Sequence, residues 1–463
     1  MTIDRREFMR AAVAATMAGA PATRGAFAAT LGAAQSARPR PSAAQLEWQR
    51  DELAMFLHFG VNTFTDREWG DGTESPAIFD PSALDARQWA RTARAAGFRM
   101  MILTAKHHDG FCLWPTRTTA HSVASSPWRG GHGDLVREFV DACRAEGLRA
   151  GLYLSPWDRN HPAYGDTPRY NAVYYEQLTE LLTQYGRIDE VWFDGANGEG
   201  PNGKKQEYDW ARTWGIVRQL QPQAVMFSDA GPDVRWIGNE RGAAGTTNWS
   251  TVDPRIVTRP GMEGTDVMRS LQDGDRDGTV WRPGETDVSI RPGWFHHAAE
   301  DAKVRTPENL VELYFSSVGR NSKLLLNVPP TRAGLLGDAD VASLMGMRAR
   351  LDATFARDLA AGSSARWRTG MRTAAHTAVL ELALASAETV SILDLQEDIT
   401  KGQRVARYRV EGNDGGAWRE LVRGTTIGYR RLERVAPTRV RALRLVIEDA
   451  AEAPELVRVG CFA

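Results

Sequence analysis

The sequence predicts an α/β fold, a (β/α)8 TIM-like barrel followed by a C-terminal antiparallel β-sandwich domain. The chain has 463 residues, which exceeds one ordinary domain and suits a barrel with a smaller module. From Leu46 to about residue 330, short apolar runs alternate with amphipathic stretches, a pattern typical of repeated βα units. Over about the last hundred residues, apolar and polar residues alternate instead, as they do in half-buried antiparallel strands.

The N-terminal segment is predicted to be an export leader and a linker. Arg5-Arg6-Glu7-Phe8-Met9 resembles the twin-arginine export motif, an Ala-rich apolar stretch follows, and Ala26-Phe27-Ala28 supplies the small residues of a cleavage site. The alternative is a chance arginine pair on a frayed helix. The order of the three elements favours a signal peptide over residues 1–28 and a linker over 29–44. This predicts a bacterial protein exported in folded form to the periplasm or the medium.

Charge and cysteine content argue against several classes of partner. The formal net charge is −1 and no basic block or acidic tail is present, so we expect neither a nucleic acid nor a membrane as partner. The apolar part of the leader is too short and too rich in Ala to span a membrane. Cys112, Cys143 and Cys461 fit no zinc motif and no disulfide framework. A single bridge is left open, and the predicted fold does not depend on it.

The predicted barrel covers residues 45–350. Strands are predicted at 55–61, 98–106, 148–155, 188–194, 224–228 and 323–328, and helices at 84–96, 135–145, 174–185, 209–220 and 310–318. Gly97 and Gly147 end two of the helices. The region 230–300, rich in Gly, Pro and Trp, must hold the sixth and seventh units. A doubly wound sheet is the competing architecture, but no Gly-rich phosphate loop follows the first strand.

The predicted C-terminal domain covers residues 351–463, after a helix near 337–360 that links it to the barrel. Its strands are predicted at 378–384, 390–397, 406–413, 441–448 and 456–462. Turn residues such as Asn413-Asp414-Gly415-Gly416 separate them. The domain either supports the barrel by packing or binds carbohydrate, and we favour the packing role.

Polar residues follow several predicted strands, at the end where a barrel carries its active site. They are His58, His107-His108-Asp109, Tyr153 with Trp157, Asp194 and Asp229. Residues at these positions converge on one mouth, so we predict a site there. Metal ligation is one interpretation of the histidines. Neighbouring strand residues point to opposite faces, however, and neutral imidazoles that hydrogen-bond hydroxyl groups fit better.

Asp194 has two interpretations from its local sequence. It ends the apolar run VWFD and precedes Gly195. An apolar surround removes water from a carboxylate and makes it a better nucleophile. An Asp in a βα loop is also a common helix N-cap. The local sequence does not decide between the two.

The segments LHFGVNTF, TAKHHDGF, GLYLSPW, VWFDGA, WIGNE, GETDVSIRPGWF and NSKLLLNVPP occur in this order between about residues 46 and 360. In this order they resemble glycoside hydrolase family 29, the retaining α-L-fucosidases. The resemblance implies that Asp194 is the catalytic nucleophile and that the other motif residues bind the fucose. These substrate-binding residues are His58, Glu68, His107, His108, Tyr153 and Trp294.

The acid/base residue varies in position within that family, and Glu199, Glu240 and Glu285 are the candidates. One branch reads G-P-D-x-R-W-x-G-N-E, with the Glu as acid/base, and residues 231–240 match this pattern. The resemblance therefore favours Glu240, whose alternative role is a loop salt bridge with Arg235 or Arg241. It also implies a preference for branched fucosides linked α-1,3 or α-1,4.

The predicted activity is removal of terminal α-L-fucose from a fucosylated glycan by double displacement. A retaining mechanism requires the two carboxyl groups to lie about 5–5.5 Å apart. It requires no metal and no organic cofactor. Two alternatives remain open, a fucose- or glycan-binding barrel without catalysis and a barrel metallohydrolase.

Overall fold

The first part of the chain is a barrel of parallel strands in the computed structural model, which describes residues 38–367 and 376–463. The predicted leader and the linker up to residue 37 lie outside the described residues. Ten strands are described before residue 330. They are β1 (Leu53–Leu57), β2 (Met100–Lys106), β3 (Arg149–Leu154), β4 (Glu190–Trp192), β5 (Val225–Phe227), β6 (Arg235–Trp236), β7 (Thr251–Val252), β8 (Val280–Trp281), β9 (Gly284–Ser289) and β10 (Ser322–Asn327).

Eight of these strands form one parallel sheet in the order β5-β4-β3-β2-β1-β10-β9-β6. A parallel bridge between Phe227 and Val234 links its two ends, so the sheet is a nearly closed barrel. The predicted TIM-like barrel is confirmed, and the doubly wound alternative is wrong because the first and last strands are neighbours. β7 and β8 pair with each other outside the barrel.

Helices follow most of the barrel strands. They are α1 (Ala43–Arg50), α2 (Val61–Thr65), α3 (Ala86–Ala95), α4 (Leu135–Ala145), α5 (Thr167–Gln184), α6 (Trp210–Leu220), α7 (Thr265–Asp273), α8 (Pro307–Ser316) and α9 (Asp338–Thr354). Short polar side chains cap several of them, because the first N–H groups of a helix have no partner in the helix. Asp85, Asp134 and Asp209 accept hydrogen bonds from backbone N–H groups at the starts of α3, α4 and α6.

The C-terminal part is a six-stranded antiparallel sheet. Its strands are β11 (Ser364–Trp367), β12 (Ala378–Glu397), β13 (Val405–Asn413), β14 (Arg419–Gly424), β15 (Arg431–Ala450) and β16 (Leu456–Phe462). β12 joins the two strands predicted at 378–384 and 390–397. Register shifts between β12 and β15 fall after Ala383 and Val390, so the chain bends there without leaving the sheet. The predicted boundary at residue 350 falls inside α9 and stays a prediction.

The C-terminal sheet packs against the end of the barrel opposite its mouth. Arg430 pairs with Glu52, which precedes β1, and with Asp394 of β12. Asn321, which precedes β10, accepts a hydrogen bond from the backbone N–H of Tyr429 at 2.7 Å. These contacts join the sheet to the starts of barrel strands, so the sheet supports the barrel on the side away from the strand ends that carry the predicted site residues.

Two further features of the described residues bear on the sequence expectations. Cys112, Cys143 and Cys461 are free and buried. None of the helices in residues 38–367 and 376–463 combines the length and the apolar character that crossing a membrane requires.

Candidate active site

A cavity of about 250 Å³ opens at the C-terminal ends of the barrel strands. It is lined by Phe56, His58, Trp69, His107, His108, Tyr153, Trp192, Asp194, Ala196, Glu240, Asp287 and Trp294. All the predicted catalytic and substrate-binding residues except Glu68 are in this set, whereas the predicted strand-end residues Asp109, Trp157 and Asp229 are not. The barrel therefore brings together residues that lie up to 236 positions apart in the sequence, from His58 to Trp294.

The floor of the cavity is aromatic. The Trp192 ring stacks on Phe227 with centroids 4.1 Å apart and an angle of 9° between the planes. Phe56 contacts Trp192 at 5.2 Å, and Tyr153 contacts it at 5.4 Å. Trp192 Nε1 donates to Glu285 Oε1 at 3.0 Å, which satisfies the indole N–H below the floor. A floor of this kind excludes water from the lower side of a bound ligand.

Asp194 comes two residues after β4, with both carboxylate oxygens hydrogen-bonded. The Tyr153 hydroxyl donates to Oδ2 at 2.9 Å, and the backbone N–H of Ala196 donates to Oδ1 at 2.7 Å. The next helix, α6, is capped by Asp209. Asp194 is therefore no helix cap, and its carboxylate is held at the cavity by two donors.

His108 and His58 are held in defined tautomers by their neighbours. His108 Nδ1 lies 2.7 Å from Ser155 Oγ, whose hydroxyl donates to the Trp157 carbonyl at 2.7 Å. Ser155 must therefore accept from His108 Nδ1–H, and His108 Nε2, 3.8 Å from Asp194 Oδ2, carries the lone pair.

His58 is fixed in the same way. Its Nδ1 lies 2.9 Å from Asn327 Oδ1, while the Asn327 amide donates to the Trp294 carbonyl at 2.8 Å. The amide oxygen accepts, so His58 donates through Nδ1 and its Nε2 is an acceptor.

Burial keeps the three imidazoles neutral, because an imidazolium would lose its hydration there. Burial lowers the pKa of His58 to about 3. It lowers the pKa of His107 well below the usual value, and the neighbouring His108 and His58 lower it further. The pKa of His108 is also lowered by burial, against the opposing charge of Asp194. Within residues 38–367 and 376–463, no group of three or more His, Cys, Asp or Glu side chains is placed to hold a metal ion.

Glu240 lies at the rim of the cavity, in the loop after β6. The Glu240 residue is exposed, but partial burial of its carboxyl raises the pKa, and the charge of Asp194 raises it further, while a hydrogen bond with the Trp294 side chain lowers it. A raised pKa keeps a carboxyl group protonated and able to act as an acid. The Arg235 guanidinium is bound elsewhere, to the Leu271 carbonyl at 2.9 Å, so it does not form the alternative salt bridge with Glu240.

The other two acid/base candidates do not line the cavity. Glu285 is fully buried beneath Trp192. Glu199 lies in the loop after Asp194, where its backbone carbonyl accepts from Trp157 Nε1 at 3.0 Å. Of the three candidates, Glu240 alone faces the cavity with Asp194.

Glu68 lies behind Trp294 instead of lining the cavity. Its carboxylate accepts from the backbone N–H groups of Trp294 and Phe295, the second at 3.2 Å. His297 Nε2 lies 3.3 Å from the same carboxylate. With these partners, Glu68 fixes the loop that presents the Trp294 ring, which lies 5.1 Å from the His58 ring. Its predicted contact with substrate stays a prediction.

Four polar or aromatic lining residues were not predicted as site residues from the sequence: Phe56, Trp69, Trp192 and Asp287. Trp69 is 55% exposed, and its ring lies 5.8 Å from those of His108 and Trp157. Asp287 is buried on β9, two residues after Glu285. The two-residue spacing could have found Asp287, because residues i and i+2 of a strand share a face. Trp69 directly follows Glu68, yet adjacency alone does not show which of the two reaches the cavity.

Residues 45–353 match the sequence model of the family described as alpha-L-fucosidase. The chain belongs to this family. This α-L-fucosidase is 44% identical to alpha-L-fucosidase 1 of Arabidopsis thaliana, over 92% of its own length and 87% of the relative's. It resembles the crystal structure of a glycoside hydrolase 29 family member from an unknown rumen bacterium, with 40% identity, a TM-score of 0.85 and coverage of 92% and 77% of the two chains. It also resembles a Ruminococcus gnavus GH29 fucosidase in complex with fucose, with 32% identity, a TM-score of 0.83 and coverage of 92% and 95%.

Proposed function

We propose that this α-L-fucosidase is a retaining exo-enzyme that removes terminal α-L-fucose from glycans by double displacement. Asp194 is the nucleophile and Glu240 is the acid/base. The observation that carries the proposal is that these two carboxyl groups line one cavity and differ in environment. Asp194 accepts from the Tyr153 hydroxyl and from a backbone N–H, whereas burial and the charge of Asp194 raise the pKa of Glu240.

In the first step, an Asp194 oxygen attacks the anomeric carbon of the fucosyl residue. The glycosidic C–O bond breaks, and the Glu240 carboxylic acid gives its proton to the departing oxygen. A β-fucosyl ester on Asp194 and an ionised Glu240 result. In the second step, Glu240 takes a proton from water, and the oxygen of that water attacks the same carbon. The ester bond breaks, α-L-fucose leaves, and both carboxyl groups return to their starting states.

The neutral imidazoles bind the sugar in this mechanism. The Nε2 lone pairs of His58 and His108 accept hydrogen bonds from fucose hydroxyl groups, because their Nδ1–H groups are already used by Asn327 and Ser155. Contacts that shorten as the ring flattens toward an oxocarbenium ion favour the transition state over the bound substrate. The aromatic floor, with Phe56 and Trp192, fits the apolar side of a deoxysugar.

The stereochemical course tests the mechanism. We expect proton NMR of a fresh digest to show α-L-fucose as the first product, before mutarotation. With azide present, Glu240→Ala should form α-L-fucosyl azide from an activated fucoside, and Asp194→Ala should form the β-azide. First release of β-L-fucose would contradict the retaining mechanism. The same azide anomer from both variants would contradict the two roles.

We propose α-1,3- and α-1,4-linked fucosides as the preferred substrates. The support is the match of residues 231–240 to the G-P-D-x-R-W-x-G-N-E pattern, together with the exposed Trp69 ring, on which a second sugar can stack. A digest panel of α-1,2-, α-1,3-, α-1,4- and α-1,6-linked fucosides checks the preference. Faster cleavage of the α-1,2 or α-1,6 linkage would contradict it.

We also propose that the protein is exported, on the strength of the Arg5-Arg6 leader alone. Mass spectrometry of the N-terminus in a periplasmic fraction should find a chain that begins after Ala28. Replacing both arginines with lysine should retain the uncut protein in the cytoplasm, whereas the same change at Arg38 and Arg40, beyond the leader, should have no effect on export. Normal export of the Arg5→Lys, Arg6→Lys variant would contradict the proposal.

A further inference from the structure

Asp287 is a carboxyl group in the cavity that the two-step mechanism does not use. It belongs to β9, is 4% exposed, and lines the same cavity as Asp194 and Glu240. A buried carboxyl group with no opposite charge is costly unless it is hydrogen-bonded or protonated. Because a carboxyl group in this place is costly, the contacts that its side chain and backbone make should indicate its role.

The contacts of Asp287 lead to both ends of the loop that carries Glu240. Trp236 Nε1, four residues before Glu240, donates to Asp287 Oδ1 at 2.8 Å. The backbone N–H of Gly242, two residues after Glu240, donates to the backbone carbonyl of Asp287 at 3.2 Å. Asp287 thus contacts both ends of this loop, the first end through its side chain and the second through its backbone, beside a bond from the Ile237 N–H to the Glu285 carbonyl at 3.1 Å.

The tip of the loop is braced internally. The Asn239 amide donates to the Ala243 carbonyl at 3.0 Å, and the Arg241 backbone N–H donates to Asn239 Oδ1 at 3.1 Å. These bonds fix the shape of the turn but not its distance from the cavity. Among the described residues, only the bond from Trp236 to Asp287 joins a side chain at the base of the loop to a cavity-lining carboxyl group, and it adds to the backbone bonds that hold the loop on β9.

A protonated, neutral Asp287 is compatible with its position beside Asp194 and Glu240. Burial, together with the charge of Glu240, raises the pKa of Asp287 to about 8. Near neutral pH, Asp287 therefore stays protonated when Glu240 ionises between the two steps. Two ionised carboxylates beside Asp194 would repel one another, and a neutral acid avoids this.

We propose that Asp287 is a positioning residue for Glu240, which holds the Trp236–Gly242 loop so that the Glu240 carboxyl reaches the glycosidic oxygen. The inference rests on the proposed role of Glu240 as acid/base. Asp287 acts through the loop and does not transfer the proton itself. Loss of its side chain should therefore affect proton donation to the leaving group more than binding of the fucosyl residue.

The test compares two leaving groups, with kcat/KM as the measure of the first step. A sugar leaving group needs the acid, whereas dinitrophenolate departs without it. We expect Asp287→Leu to lower kcat/KM for a fucosylated oligosaccharide by about tenfold to a hundredfold and to leave kcat/KM for dinitrophenyl α-L-fucoside within about threefold. Trp236→Phe removes the indole N–H donor but keeps an aromatic ring. It should likewise lower kcat/KM for the oligosaccharide more than kcat/KM for dinitrophenyl α-L-fucoside.

Asp287→Asn is the conservative control. It keeps an Oδ1 acceptor for Trp236 and stays neutral, so it should retain kcat/KM for the oligosaccharide within a few fold of the wild-type value. Thr286→Ser, on the same strand and with its hydroxyl on the Lys323 carbonyl at 2.8 Å, controls for general disturbance of β9. If Asp287→Leu does not fold, Trp236→Phe and Asp287→Asn decide the question.

The outcomes separate this inference from the proposed function. Glu240→Ala, measured in parallel, must lose the oligosaccharide reaction and keep the dinitrophenyl reaction. Any other result for Glu240→Ala would contradict the proposed acid/base role of Glu240, and with it the proposed role of Asp287. If Glu240→Ala behaves as expected while the Asp287 and Trp236 variants lower both substrates equally, or Asp287→Asn is as impaired as Asp287→Leu, the inference alone is overturned.

Discussion

The barrel of this α-L-fucosidase contains two groups of carboxyl groups, a fully buried lower group and an upper group that lines the cavity, and the same strands supply members of both. β4 carries Glu190 in the lower group, and Asp194 follows its end in the upper group, with Trp192 between them. β9 carries Glu285 below and Asp287 above. The two-residue spacing of inward-facing side chains along each strand produces this layering.

The lower group is sealed and has its own cation. Lys323 Nζ lies 3.3 Å from Glu190 Oε2 and 4.6 Å from the centre of the Trp48 ring. Trp48 Nε1 donates to the same carboxylate oxygen at 2.8 Å. Glu190, Glu285 and Lys323 are fully buried. Charge in this layer is balanced inside the protein, so its role is structural.

The upper group has no such cation. Among the described residues that line the cavity there is no lysine or arginine, and the raised pKa values of Glu240 and Asp287 favour the protonated forms of these two carboxyl groups. Carboxyl groups that share a cavity and differ in pKa can exchange protons with a ligand, whereas those paired to a buried lysine cannot. The lower layer buries a charged pair, whereas the upper layer opens on the cavity and has no cation among its described lining residues.

The largest expected effect is in the upper layer. Asp194→Asn removes the proposed nucleophile but keeps the size of the side chain and an acceptor for the Tyr153 hydroxyl. We expect kcat/KM on an aryl α-L-fucoside to fall by at least about a thousandfold. Thermal unfolding should be unchanged or shifted to a higher temperature, because a charge that raised the pKa of Glu240 has been removed. Activity within a few fold of wild type would place the nucleophile elsewhere.

The pH dependence of the reaction is the next effect. Burial and Asp194 raise the pKa of Glu240 above its ordinary 4.5. The first step needs the protonated form, so kcat/KM should fall as the pH rises through this raised pKa. Glu240→Gln should remove this alkaline limb and lower kcat/KM for an oligosaccharide by about a hundredfold to ten-thousandfold. An alkaline limb that persists in the variant would show that another group sets it.

A substitution in the lower layer should lower the stability of the protein and leave its activity unchanged. Lys323→Met leaves Glu190 buried without its cation, and breaking a buried pair in this way costs about 3–5 kcal/mol. Urea unfolding should show this loss. The folded fraction should keep its kcat, since Lys323 lies below the aromatic floor and does not line the cavity. A drop in kcat as large as that of Asp194→Asn would contradict the separation of the two layers.

The sequence predicted the upper layer better than the lower one. His58 and Asp194 directly follow apolar runs, so the sequence places them at the ends of strands. Glu190 stands inside such a run and Lys323 begins one, and nothing in the sequence indicates that their side chains meet. Contacts between strands depend on the register of the barrel, and the register is not a local property of the sequence.

The region 230–300 was the least predictable part. β6 has only two residues, and its neighbours β7 and β8 lie outside the barrel, so no apolar period marks the sixth unit. Glu68, predicted to bind substrate, does not line the cavity, and the reason is related. Its neighbour Trp69 faces the cavity, while Glu68 turns to the backbone of Trp294. Side chains of adjacent loop residues do not alternate between two faces as they do in a strand. The residue that Glu68 contacts, Trp294, also lies 226 positions away in the sequence.

The smallest expected effect is Glu285→Gln in the lower layer. Burial raises the pKa of Glu285 well above its ordinary 4.5, and the charge of Glu190 raises it further. The folded chain thus keeps a proton that the unfolded chain releases, so stability falls as the pH rises from about 4.5 through the raised pKa. Glutamine cannot ionise, still accepts from Trp192 Nε1, and offers an N–H donor. The variant should be as stable as wild type at low pH and more stable by about 1 kcal/mol at pH 8, with kcat within a few fold. A variant that unfolds more easily at both pH values would show that the Glu285 carboxylate is paired after all.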